Sequence, residues 1–283
     1  MNYEVERCAL AANLNISRVL NGLWQIADLE REGRAFDREN AARAMARYVE
    51  AGFTTFDMAD HYGSAEDCAG IFKQRYEREH RAQFLTKWVP KPGASTRAEV
   101  RAAVQRSLAR MKSERIDLLQ FHAWNYADPA WLDCLFWLQE LKAEGLIRHL
   151  GLTNFDTAHL RIAVSSGIEI VSNQVCYSLL DQRPRQRMAE FCVAHGVKLL
   201  CYGTVAGGLL TERWLDKAEP AAHELQTWSL LKYRRFVEAA GGWHALQKLL
   251  RVVHEAAQAH NVSMANVACR YILDQPGVGG VII

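Results

Sequence analysis

Eight short apolar runs alternate with helical patterns along this 283-residue chain, and that alternation restricts the fold more than any other feature. The runs are VLNGLW (19–24), FTTFDMA (53–59), QFLTKW (83–88), IDLLQFHAW (116–124), IRHLGLTN (147–154), EIVSNQVC (169–176), VKLLCYG (197–203) and VGGVII (278–283). Most lack the polar alternate positions of a strand with one wet face, so they predict a parallel sheet covered by helices. The segments between them carry helix ends. Asp37 caps a helix to Glu50 that Gly52 stops, and Thr96 with Glu99 has the capping-box spacing for a helix through Met111. Asp128 followed by Pro129 starts a helix that ends at Gly145. Ser64 caps a helix over 65–79, and further helices are predicted over 156–166, 184–195, 243–260 and 263–274.

Eight βα units in a chain of this length predict a (β/α)8 TIM barrel, one domain over residues 1–283. A doubly wound sheet would call for a glycine-rich phosphate loop after an early strand, and neither G-x-G-x-x-G nor G-x-x-x-x-G-K-[ST] occurs. Two features interrupt the pattern. Residues 204–242 are a long insert holding Trp214, Trp228 and the pair Gly241-Gly242, a length expected of a binding loop or lid. The eighth run ends the sequence, so the eighth βα loop and final helix lie outside it. We therefore expect the natural protein to continue past Ile283, since Val281 and Ile283 would otherwise face water.

Composition narrows the class further. Lysine plus arginine (34) nearly balance aspartate plus glutamate (32), which argues against a nucleic-acid or membrane-surface binder. Among the seven cysteines no pair has C-x-x-C spacing, as expected of reduced thiols in a cytosol-like compartment. The histidines include no H-E-x-x-H pair, so no zincin-type metal site is predicted. The first residues mix charges and lack an apolar signal core, and no run approaches the ~18 apolar residues of a membrane helix. A cytoplasmic protein is expected.

A barrel keeps its chemistry at the C-terminal ends of its strands. Three consecutive runs end in Asp57, Lys87 and His122, and the loop after the first of them lays Tyr62 over the same mouth. A phenol of pKa ~10 exchanges protons poorly near neutrality unless a neighbour stabilises the phenolate. The Lys87 ammonium can do so, Asp57 can pair with that buried cation, and His122 can orient a carbonyl oxygen. Such a set can protonate a carbonyl as another species delivers hydride.

The motifs FDMADHYGSAED (56–67), LTKW (85–88), QFHAW (120–124), GLTNFD (151–156), VSNQVCYSL (171–179) and CYGTVAGGLLTE (201–212) together resemble the aldo/keto reductase family, in its order and on its strands. The resemblance implies a barrel that reduces an aldehyde or ketone with NADP(H) more readily than with NAD(H), its catalytic tetrad carried by Asp57, Tyr62, Lys87 and His122. It implies that Thr153, Asn154 and Gln174 hold the nicotinamide carboxamide and that Tyr202 stacks on the ring. Asn154 can equally cap the next helix. The segment Gly203, Thr204, Gly207, Gly208 and Leu209 would cover the pyrophosphate, with Arg213 its basic contact. Gly203-Thr204-Val205 replaces the family's Ser-Pro-Leu, and the family's 2′-phosphate motif falls beyond residue 283. Trp24, Trp88 and Trp124 either wall the substrate pocket or pack in the core or rim. Barrels of this family also serve as redox-sensing regulatory subunits, the alternative function for this chain.

Overall fold

Each barrel strand pairs with the strand that follows it in the chain, and the last pairs back to the first. The computed structural model describes residues 4–79, 81–91, 93, 95–225 and 227–283. Before the barrel, β1 (Arg7–Ala11) and β2 (Leu14–Ser17) form an antiparallel hairpin that we did not anticipate. Its turn is Ala12-Asn13, with Asn13 in the left-handed region at φ 61°, a conformation that asparagine tolerates better than most residues.

The barrel then runs β3 (Val19–Gly22), β4 (Thr55–Asp57), β5 (Gln83–Trp88), β6 (Ile116–Phe121), β7 (Ile147–Thr153), β8 (Ile170–Cys176), β9 (Lys198–Tyr202) and β10 (Val278–Ile282). All neighbours are parallel, and Val281 of β10 pairs with both Cys201 of β9 and Val19 of β3. The closed (β/α)8 barrel is thus the fold. Val281, expected to face water, is fully buried in the core that also holds Ile272 and Leu273. Leu10, Leu14 and Ile16 of the hairpin pack against the inward side chains Leu20, Leu85, Leu118 and Leu200. The hairpin therefore plugs the N-terminal end of the barrel, and the polar mouth is left at the other.

The helices are α1 (Trp24–Arg31), α2 (Arg38–Glu50), α3 (Ala65–Arg75), α4 (Arg97–Arg110), α5 (Ala130–Ala143), α6 (Thr157–Ser165), α7 (Arg187–Ala194), α8 (Trp228–Ala239), α9 (Gly242–His260) and α10 (Met264–Leu273). Asp37 caps α2, and Thr96 with Glu99 completes the capping box of α4. Two expectations need correction. Trp24 is not in a strand but opens α1, because β3 stops at Gly22. Ser64 does not cap α3; its hydroxyl donates to Glu30 of α1 instead. Asp128 caps α5 as expected, accepting from Ala130 N, with Pro129 in helical conformation between them. The 204–242 insert is not a plain loop: outside residue 226, which lies beyond the described residues, it holds short 3-10 turns and α8. Its Leu209, Trp214, Leu225, Leu230, Tyr233 and Val237 form a second core with α9 and α10. No helix of the described residues is long and apolar enough to cross a membrane.

Candidate active site

The polar centre of the mouth is built from strand ends. Asp57 ends β4 and is 3% exposed; Lys87, next to last in β5, is 1% exposed. Lys87 Nζ donates to Asp57 Oδ2 at 2.6 Å and to the Met58 carbonyl at 2.9 Å. A buried ammonium survives only with such partners. The other carboxylate oxygen, Asp57 Oδ1, accepts from Gln174 Nε2 at 2.7 Å and from Gln120 Nε2 at 3.0 Å. Gln174 Nε2 also reaches Gln120 Oε1 at 2.9 Å. Gln120 was missed by the sequence reading. Its signal was a lone amide in the apolar run IDLLQF, opposite Lys87 in the β5–β6 register.

Tyr62 lies in the turn between β4 and α3, its N–H held by the Ala59 carbonyl. The Lys87 ammonium is 4.9 Å from its ring centroid. Burial raises the Tyr62 pKa above the ordinary phenol value; Lys87 opposes that and Asp57 adds to it. We expected Lys87 to lower this pKa, and it does pull in that direction, but desolvation outweighs it. The phenol is therefore kept protonated. Burial also disfavours the Lys87 charge, yet Asp57 and Tyr62 together hold its pKa above the usual lysine value.

His122 follows β6, its N–H bonded to the Trp88 carbonyl. Burial first, then the cations Lys87 and Lys232 and the imidazole of His61, push its pKa down to about 4, so it is neutral at pH 7. Its Nδ1 is buried without a hydrogen-bond partner among the described residues, and its Nε2 lies 3.4 Å from Asn154 Nδ2. The Asn154 amide nitrogen can only donate, so Nε2 accepts from it in the tautomer with the proton on Nδ1, and in the other tautomer the Nε2–H is left for a ligand in the mouth.

Asp57, Tyr62, His122, Thr153, Asn154, Gln174, Tyr202, Gly203, Gly207 and Gly208 all line one cavity of about 790 Å³. Thr153 ends β7 beside Gln174 in register, and its buried Oγ1 has no partner among the described residues. Asn154 adopts φ 59° and accepts from Tyr202 OH at 2.9 Å through its Oδ1. It does not cap α6; Asp156 does. Gly203 has φ 73°, and a Cβ there would stand 2.3 Å from Tyr233 OH, so only glycine fits.

Other predicted contacts lie elsewhere. Thr204 and Leu209 are buried in the protein interior, and the Arg213 guanidinium sits over Trp214, 5.0 Å from its ring centroid. None of these three side chains lines the cavity. Of the tryptophans, Trp24 and Trp124 line it, Trp124 being 71% exposed. Trp88 does not: it is 6% exposed and packs on Phe121, a core residue. Further lining residues were not foreseen: Arg31, Arg34, His61, Trp228 and Lys232. Lys232 lies with its Nζ 4.7 Å from the Tyr202 ring centroid.

A buried lysine–carboxylate pair under a tyrosine, with a neutral histidine across the mouth of a (β/α)8 barrel, defines a class of oxidoreductase. Residues 18–283 match the model of the aldo/keto reductase family, and the chain belongs to that family. It is 29% identical over 259 residues to the uncharacterized oxidoreductase YqkF of Bacillus subtilis, covering 87% of this chain and 78% of that protein. It is 28% identical over 257 residues to flagellar radial spoke protein 5 of Chlamydomonas reinhardtii, covering 76% of this chain but 49% of that one. The glycerol dehydrogenase AKR11B4 of Gluconobacter oxydans superposes with a TM-score of 0.76 at 22% identity, over 98% of this chain and 85% of that structure.

Proposed function

We propose that this chain reduces an aldehyde or ketone to an alcohol with a reduced nicotinamide coenzyme. The observation that carries the reading is the Lys87–Asp57 pair beneath a protonated Tyr62, facing a neutral His122. The residues present fit the coenzyme. Thr153 Oγ1 lacks a partner among the described residues, the amides of Asn154 and Gln174 stand beside it, and Tyr202 offers a ring face in the same cavity. Gly208, at φ 98° and with open space where a Cβ would stand, leaves backbone open to a phosphate's approach, while Gly207, at φ 64°, lets Ser229 and Tyr233 of α8 pack closely beside it. Among the mouth's cations, Lys232 of the insert replaces Arg213 as the basic partner on that side.

The bound coenzyme supplies the hydride. Tyr62 gives its phenolic proton to the carbonyl oxygen, and the phenolate left behind is stabilised by Lys87. Asp57 keeps Lys87 charged, and Gln120 and Gln174 keep Asp57 in place. His122, uncharged, offers an N–H that orients the carbonyl oxygen beside Tyr62. The insert, with Trp228 and Lys232, covers the coenzyme. The coenzyme is NADP(H) rather than NAD(H), a reading that rests on likeness to the family. A panel of aldehydes and ketones assayed with NADPH and with NADH tests it: turnover with NADPH supports it, and no turnover with either coenzyme despite coenzyme binding refutes it.

A further inference from the structure

The mouth carries more positive charge than the tetrad needs. Its cations outside the tetrad are Arg31, Arg34 and Lys232. Arg34 is paired with Glu32 at 2.8 Å. Arg31 and Lys232 have no ion pair among the described residues, and both are held over aromatic faces instead. The carboxylates lining the same cavity make no ion pair with them. Asp57 is bound to Lys87. Asp28 is 6% exposed and receives the Trp24 indole N–H at 3.0 Å; it feels the Arg31 charge but lies outside ion-pair distance of it.

The two unpaired cations sit on different aromatic groups of the mouth. Lys232 lies over the Tyr202 ring, in the part of the mouth assigned above to the coenzyme. Arg31 lies over Trp24 at 5.0 Å, and Trp24 meets Tyr62 edge-on at 4.9 Å between ring centroids. Arg31 is thus one indole away from the proton donor, close enough to oppose the rise in the Tyr62 pKa.

This relation is built rigidly. Glu30, the residue before Arg31, accepts from Ser64 N at 2.9 Å and from the Ser64 hydroxyl. Gly63, at φ 53°, presses against the same carboxylate, where a Cβ would stand 1.9 Å from Glu30 Oε2. Helix α1 is therefore bolted to the turn that presents Tyr62, and Trp24 is fixed from behind by Asp28. A cation held at constant distance from a proton donor, on an aromatic wall, suits a substrate with a negative group at one end and its carbonyl at the other.

We propose that the substrates are anionic carbonyl compounds, bearing a carboxylate or phosphate, and that Arg31 seats the anion while Trp24 and Trp124 flank the carbon skeleton. This rests on the carbonyl-reductase reading above. The guanidinium is suited to the task because its planar fork matches both anions.

The test compares 4-carboxybenzaldehyde with its methyl ester, using NADPH. A hydrogen bond to a charged group contributes ~1.5–3 kcal/mol, so the wild type should favour the acid by about 10–100-fold in kcat/KM, mostly through KM. The preference should shrink as salt rises. Arg31→Met should bring the ratio toward one and Arg31→Lys should keep part of it, whereas Lys232→Met should weaken NADPH binding and leave the ratio. A wild type without preference, or a preference lost in Lys232→Met and kept in Arg31→Met, overturns the proposal. If neither aldehyde is reduced, the carbonyl-reductase reading fails, and quenching of tryptophan fluorescence decides the anion site separately. Binding of the acid but not the ester, lost in Arg31→Met, upholds it; equal binding of both rejects it.

Discussion

Replacing Lys87 by methionine shortens the side chain by one atom and removes its charge, with the hydrogen bonds to Asp57 and to the Met58 carbonyl. In the wild type Asp57 Oδ2 accepts from Lys87 alone, while Oδ1 is held by Gln120 and Gln174. The variant would leave Oδ2 of a 3% exposed carboxylate without a partner. Breaking a buried pair in this way costs ~3–5 kcal/mol, and the two amide donors that remain put the expected loss near the lower end, about 3 kcal/mol. In a chain of this size that corresponds to a fall in Tm of roughly 6–12 °C. Urea unfolding followed by tryptophan fluorescence measures it, with the slope m expected to be unchanged. The reasoning has an internal check. Asp57→Asn in the Lys87→Met background removes the stranded charge, so the double variant should be more stable than the single one. A loss below about 1 kcal/mol, or a double variant no more stable than Lys87→Met, would refute an uncompensated carboxylate as the cause.

Tyr62→Phe should lower turnover ~10²–10⁴-fold while coenzyme binding, read by fluorescence titration, is kept. The native pKa of His122, about 4, lies below the ordinary 6.5, so the unfolded chain takes a proton in a range where the native one refuses it. The linked stability is therefore fully present above about pH 6.5 and lost as pH falls toward 4, by up to roughly 3 kcal/mol; His122→Asn should flatten that part of a stability–pH curve. Gly63→Ala forces a Cβ onto Glu30 at a φ of 53° and should cost about 1–3 kcal/mol by denaturant titration.

The barrel was legible because its strands are buried on both faces, and an apolar run bounded by helix caps leaves few alternatives. The polar cluster at the mouth was legible for a related reason: Asp57, Lys87 and His122 interrupt such runs at their C-terminal ends. What escaped lay where short polar segments fold by tertiary contact. The hairpin over residues 7–17 is stabilised by plugging the barrel, which no local pattern announces. Helix α1 was not anticipated after the run ending at Trp24, and its Glu30 meets Ser64, far from it in the chain. Gln120 was visible as a polar residue in a core strand, but its value comes from Gln174 and Asp57, far from it in the chain. A basic residue near a motif does not reveal its direction: Arg213 turns onto Trp214, and Lys232, far along the insert, faces the mouth.

The central claim is that hydride passes to a carbonyl carbon while Tyr62 supplies the proton on oxygen. A single turnover with NADPH deuterated at the transferable C4 position, analysed by mass spectrometry of the alcohol, tests it most directly. The account predicts one deuterium on the former carbonyl carbon with the wild type, and almost no alcohol with Tyr62→Phe under the same coenzyme saturation. Alcohol lacking that deuterium, or labelled alcohol formed by Tyr62→Phe at the wild-type rate, would contradict it.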